Sequence, residues 1–226
     1  DDLEFLNYRF DTHGQKGHYG VALASKPEPL RVVRGYATDA EDAQRRMIRG
    51  VYTLGDGTEI TVFNGYFPQG ESRDHSIKFP AKEAFYRDLL TTLETEYTPT
   101  DQIVIMGDFN IAPVDHDIGI TDDAKKRWLR TGKTSFLPEE RAWFERLIQW
   151  GLVDSWRSVH PEVSDRYSWF DYRSRGFEDD PKRGLRIDHI LVSKPLMERM
   201  TDCGIDYTLR ALDKPSDHCP VWITLE

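Results

Sequence analysis

The run "QIVIMG" (102–107) is apolar almost throughout and ends on "DFN". A continuous apolar run of this length reads as a buried strand, yet it delivers Asp108 and Asn110 directly at its end. Gly, Asp and Asn are turn residues for local hydrogen-bonding reasons. A carboxylate and a carboxamide lifted out of a sheet edge are equally able to hold a metal ion or a water. The same juxtaposition recurs: "LRIDHIL" sets Asp188 in an otherwise apolar strand, and "KPSDHCPVW" places Asp217 and His218 just before the last one. Carboxylates beside buried strands are costly unless they are paired or bind metal. Three such placements therefore point to one cluster.

The chemistry that suits such a cluster is metal-assisted hydrolysis. Hard oxygen ligands with few nitrogens favour Mg²⁺ or Mn²⁺ over zinc. An imidazole there neutralises a phosphate oxygen or positions water, and one Asp orients or deprotonates the nucleophile. Ser216, Asp217 and His218 are no serine triad, because neighbours in an extended stretch point to opposite sides. "DHDIGITDDAKK" (115–126) is no calcium loop, since its twelfth position is Lys126 instead of a bidentate glutamate. No phosphate-binding P-loop, dinucleotide fingerprint or G-x-S-x-G is present.

Around these sites the chain reads as a mixed fold. "GHYGVALAS" (17–25) and "TEITVFNGYF" (58–67) read as strands, the second with Ile60, Val62, Asn64 and Tyr66 on one face. Phe85, Leu89, Leu93 and Tyr97 recur at fours and predict a helix over 80–97. Pro138, two following glutamates, a Trp143–Leu147–Trp150 stripe and Gly151 predict another over 137–151. Residues 185–193 and 220–226 supply further strands. Strands outnumber helices without strict alternation, which favours sheets packed under helices over a doubly wound nucleotide fold. The 226 residues suit one domain. Cys203 and Cys219 form no metal spacing and read as reduced thiols, so a cytoplasmic protein is expected. The net charge of −9 argues against binding nucleic acid by bulk electrostatics. It still permits acidic groups gathered round a divalent cation, and "KKRWLRTGK" (125–133) can line a basic face.

The segments "GQKGHYGVAL", "NGYFPQGESRDH", "IMGDFNIAP", "DIGI", "KRWLRTGK", "SFLPEER", "WGLVDSWR", "SWFDYRS", "GLRIDHIL" and "KPSDHCPVW" together resemble the exonuclease III branch of the endonuclease/exonuclease/phosphatase superfamily. "GDFN" and "SDH" are shared with the whole superfamily; "NGYFPQG" and "SWFDYRS" are specific to the branch. The resemblance implies a four-layered α/β sandwich, two mixed β-sheets face to face with helices outside. It also implies a monomeric, Mg²⁺- or Mn²⁺-dependent enzyme acting on double-stranded DNA with abasic sites or 3′ blocks. By motif, Asp108 would activate water or protonate the leaving group, Asn110 would help hold the scissile phosphate, and Tyr66 would donate to it. Asp188 would orient His218, His218 would contact the phosphate, and Asp217 would join Asp108 and Asn110 at the metal. Which of Asp108 and Asp188 is the general base stays open.

The resemblance also casts Trp169 and Phe170 as a wedge in an abasic gap. Arg173, Gln69, Lys78, Lys126 and Arg127 would then grip the backbone. The family's opening strands carry an asparagine and then a Gln-Glu pair whose glutamate binds metal. None of the five glutamines here is followed by Glu, so an N-terminally incomplete single domain over 1–226 is expected. Two alternatives accompany this reading: a catalytically impaired fragment that binds abasic DNA, and another superfamily phosphodiesterase acting on a phosphoinositide or sphingomyelin.

Overall fold

The structure, a computed structural model, describes residues 6–226. Its centre is a six-stranded sheet built from β3 (Arg31–Arg34), β4 (Met47–Thr53), β5 (Glu59–Tyr66), β6 (Ile103–Asp108), β7 (Leu152–Asp154) and β8 (Asp188–Ser193). The spatial order is β3-β4-β5-β6-β8-β7, with β5 and β6 parallel and the other neighbours antiparallel. Both faces of this sheet are covered, which is why "QIVIMG" has no polar alternation. On one face Phe63, Ile103, Ile105 and Leu191 pack against Leu89 and Leu93 of α1 (Lys78–Glu96) and Trp143 and Leu147 of α3 (Pro138–Trp150). On the other, Ile60, Val104, Ile190 and Val192 meet Val221, Ile223 and Leu225 of β10 (Val221–Leu225).

The layer facing the six-stranded sheet consists, among the described residues, of two antiparallel ribbons. One pairs β1 (Arg9–Gly14) with β2 (Gly20–Ser25), and the other pairs β9 (Met200–Ile205) with β10. The first is tied to the main sheet by Asn64, whose amide donates to Ala22 O at 2.8 Å. The architecture is thus an α/β sandwich, strands on strands with the long helices outside.

The predicted helices over 80–97 and 137–151 form as α1 and α3, and Gly151 ends α3 at φ 132. "KKRWLRTGK" lies largely on a further helix, α2 (Asp122–Thr131), which Thr121 caps by accepting from Ala124 N at 3.3 Å. The remaining helices are short: α4 (Ser155–Val159), α5 (Lys194–Met197) and α6 (Tyr207–Arg210). Both cysteines are buried and free. Among the described residues, no helix is long and apolar enough to cross a membrane.

Candidate active site

Strand register assembles the site. Tyr66 is the partner of Asp108 across β5 and β6, and Asp108 is the partner of Asp188 across β6 and β8. Three functional side chains therefore stand in one row at one end of the sheet. The close approach of β5 and β6 depends on glycine. Gly107 has φ 138, and a Cβ there would meet Gly65 O at 1.9 Å. A bulkier residue would push Asp108 away from Tyr66.

The turn beyond Asp108 resolves the ambiguity of "GDFN". Asn110 sits in the left-handed region at φ 54, which Asn tolerates better than most residues. Its backbone N–H donates to Asp108 Oδ1 at 2.9 Å, and its side-chain amide donates to Asp108 Oδ2 at 2.9 Å and Phe67 O at 3.0 Å. The segment is an Asx turn, and that turn is what aims the carboxylate.

His218 approaches from the start of β10. Its Nδ1 lies 3.0 and 2.9 Å from the two oxygens of Asp188, which makes Nδ1–H the donor and turns Nε2 away from Asp188. Asp188 is itself fixed by Ser168, whose hydroxyl oxygen accepts from Ile187 N at 3.0 Å and Asp188 N at 2.9 Å. Asp217 accepts from the Trp169 indole at 3.0 Å. It lines an open cleft of about 590 Å³ together with Tyr66, Asn64, Asp108, Asp188 and His218.

The electrostatics follow from this crowding. Burial, and next the charge of Asp188, push Asp108 up from 3.8 to about 7, against the opposing pull of His218, the Asn110 N–H and Lys82. Burial alone would lower the His218 imidazole, but its hydrogen bond to Asp188 and the surrounding carboxylates outweigh it and raise it to about 9. Donor atoms of Asp108, Asp188 and His218 all lie within 4.8 Å of one another. A divalent cation fits the two carboxylates of this set, hard oxygen donors that repel each other and would share its charge, with the His218 imidazole beside them.

A second hollow, of about 280 Å³, adjoins the row. Asp108, Asn110, Tyr66 and His218 close one side, Leu185 and Ile187 are apolar lining, and Trp128, Trp169, Lys133 and Gln69 complete it. Lys133 Nζ stands 3.6 Å from the centre of the Trp128 ring, which stacks on Phe136. Lys133 is the one lysine or arginine in this lining. Lys126 and Arg127, the residues expected from "KKRWLRTGK", are exposed and line neither hollow. Of that segment, Trp128 and Lys133 line the inner hollow. A tryptophan inside a basic, otherwise polar segment was the available signal.

The remaining predicted residues are placed as follows. Gln69 is exposed and donates to Thr134 Oγ1 at 2.9 Å. Lys78 is exposed and paired with Glu71 at 2.5 Å, in a neighbouring hollow with Tyr66. Arg173 is exposed on the surrounding surface. One expectation is corrected: Phe170 is no wedge. It is 0 % exposed, packed among Tyr167, Phe177, Tyr207 and Cys219. Trp169 precedes it in an extended segment, so the two rings point opposite ways, and only Trp169 reaches the hollow.

Carboxylates, an imidazolium and a phenol gathered at the end of a sheet sandwich define a hydrolase site whose acidic group suits a divalent metal. Comparison with known proteins gives the family: the chain matches the Endonuclease/Exonuclease/phosphatase family over residues 1–218 and belongs to it. It is 59% identical over 219 residues to exodeoxyribonuclease III of Haemophilus influenzae, covering 97% of this chain and 81% of that protein. Among solved structures, a Neisseria 3′ phosphatase bound to a product DNA hairpin is similar at TM-score 0.86 and 37% identity, covering 100% of this chain and 82% of that one. An AP endonuclease from Archaeoglobus fulgidus is similar at TM-score 0.87 and 32% identity, with the same coverages.

Proposed function

We propose that this chain is a metal-dependent DNA-repair phosphodiesterase. It removes nucleotides 3′→5′ from duplex DNA, incises at abasic sites and strips 3′ phosphates, acting as a monomer in the cytoplasm. The observation that carries the reading is the row Tyr66–Asp108–Asp188 with His218, opening into a hollow flanked by two tryptophans. Family membership and the identity to the Haemophilus enzyme support it.

In this reading Asp108 is the general base. Its carboxylate is aimed into the open cleft by Asn110, whereas Asp188 is occupied by His218. Asn110 holds Asp108, and with both amide hydrogens spent on Asp108 and Phe67 O it offers the site its carboxamide oxygen. His218, cationic at neutral pH, neutralises a phosphate oxygen, and Tyr66 donates to another. Asp108, Asp188 and Asp217, with the Asn110 carboxamide, would hold Mg²⁺ or Mn²⁺. When bound, the ion would polarise the phosphodiester and acidify the attacking water. Trp128 and Trp169 flank the displaced sugar, while Lys133, Gln69, Lys78, Arg173, Lys126 and Arg127 serve the backbone.

The test is incision of a duplex carrying one abasic analogue, with Mg²⁺ and with EDTA. Metal-dependent cutting on the 5′ side of the lesion is expected. Tight binding without cutting would mean an impaired site, and hydrolysis of a lipid phosphodiester in preference to DNA would overturn the reading.

A further inference from the structure

Three successive carbonyls of the turn after β6 are each taken by a buried side chain. Tyr86 Oη donates to Phe109 O at 2.6 Å, Lys82 Nζ to Asn110 O at 2.8 Å, and His189 Nε2 to Ile111 O at 2.8 Å. Tyr86, Lys82 and His189 are 2, 0 and 1 % exposed. Lys82 and Tyr86 are one turn apart on α1 and so share a face. His189 alternates with Asp188 on β8 and points to the opposite side of the sheet from the cleft.

Each donor is itself fixed. Lys82 spends its other hydrogens on Gln69 O at 3.2 Å and Glu140 Oε1 at 2.5 Å. The second oxygen of Glu140 accepts from Ser135 N and Leu137 N, both at 2.8 Å. One buried ion pair thereby joins the loops bearing Gln69, Asn110 and Ser135, all of which line the inner hollow. His189 Nδ1 lies 2.9 Å from Arg186 Nη1, which can only donate. His189 is therefore the Nε2–H tautomer, the form that donates to Ile111 O.

Loop carbonyls at a strand end ordinarily face water. Here three in a row are dry and individually specified, around a non-glycine residue at positive φ. Such backbone persists only where its surroundings over-determine it. We propose that Lys82, Tyr86 and His189 are positioning residues, a three-point clamp that holds the 108–111 turn where Asp108 and Asn110 meet the substrate. The proposal rests on the reading that this site cleaves DNA phosphodiesters.

Tyr86→Phe removes one oxygen and keeps the ring that packs on Phe67 and Trp143. On abasic duplex, kcat should fall about ten- to a hundredfold with KM changed by less than about twofold, the signature of a misplaced catalytic group. In an Asp108→Asn background the same change should alter the residual rate by less than about twofold, because the positioned group is already gone. The loss of Tm should be the same in both backgrounds. Tyr36→Phe is the control: its hydroxyl is buried in the same core but makes no hydrogen bond to the turn, and kcat should stay at the wild-type value. Wild-type kcat in Tyr86→Phe, beside an inactive Asp108→Asn, would overturn the clamp alone. Full activity in Asp108→Asn would overturn the site reading itself.

Discussion

Replacing Asp108 with Asn should slow the enzyme and, without metal, make it more stable. The folded carboxyl keeps its proton to about pH 7, whereas the unfolded one releases it near 3.8. As pH rises between those values the folded state loses stability, because ionisation is then easier in the unfolded chain. The full difference is at most about 4 kcal/mol. Water reaching this partly buried group reduces it to about 2–4 kcal/mol. The amide avoids that cost but can accept only one of the two hydrogen bonds from Asn110, a loss of about 1 kcal/mol. The net gain at pH 8 is about 1–3 kcal/mol, or about 3–10 °C in Tm for a chain of this size. Calorimetry in EDTA should show the gain at pH 8, no gain near pH 4, and a narrowing as Mg²⁺ binds the wild type. Incision should fall by about two to four powers of ten. An equal Tm for the two proteins in EDTA at pH 8 would refute the crowded-carboxylate argument.

His218 provides a second pH handle. Its raised value means that the Asp188 pair contributes fully below about 6.5 and loses its contribution as pH rises through about 9. An NMR titration of His218 should show that midpoint, moving down in Asp188→Asn. Phe170→Ala should cost about 3–5 kcal/mol in urea unfolding, the price of emptying an aromatic core site; a variant of unchanged stability would restore the wedge. Lys133→Met should weaken duplex binding and lower the slope of log K against log salt by about one, read by fluorescence anisotropy.

What could be seen in the sequence was the acidic row itself. Asp108, Asp188 and His218 stood out because each abuts an apolar strand, and a carboxylate there needs a reason. The buried strand, both long helices and the last two hydrophobic runs were legible from apolar runs, helical spacing and helix-end residues. Strand β4 was not, since Arg49 and Gly50 interrupt its pattern; Arg49 is nevertheless buried, bonded to Glu96 at 2.7 Å and Tyr97 Oη at 3.2 Å. The wedge failed for a different reason. Successive residues in an extended loop face opposite ways, and nothing local says whether Trp169 or Phe170 faces the core.

Several residues of the motifs carrying the family resemblance lie outside the catalytic row, and buried charge explains them. Asp117 of "DIGI", Asp154 and Arg157 of "WGLVDSWR" and Arg186 of "GLRIDHIL" meet behind the site. Arg186 Nε donates to Asp117 Oδ1 at 2.7 Å and its Nη2 to Asp154 Oδ2 at 2.6 Å, while Arg157 reaches Asp117 at 2.5 Å. Glu140 of "SFLPEER" pairs with Lys82. Pattern reading assigns such residues to a wetted surface, because their partners lie 69, 32, 40 and 58 positions away. Buried ion pairs are a poor way to gain stability, and apolar replacements often match them. Their directional hydrogen bonds instead fix where a backbone runs. Arg186 reaches the catalytic turn through His189, and Glu140 reaches it through Lys82. These charges sit where a 1 Å displacement would cost about a hundredfold in rate, so a metal-dependent active site that must place Asp108 against a phosphate has use for them that stability alone does not supply.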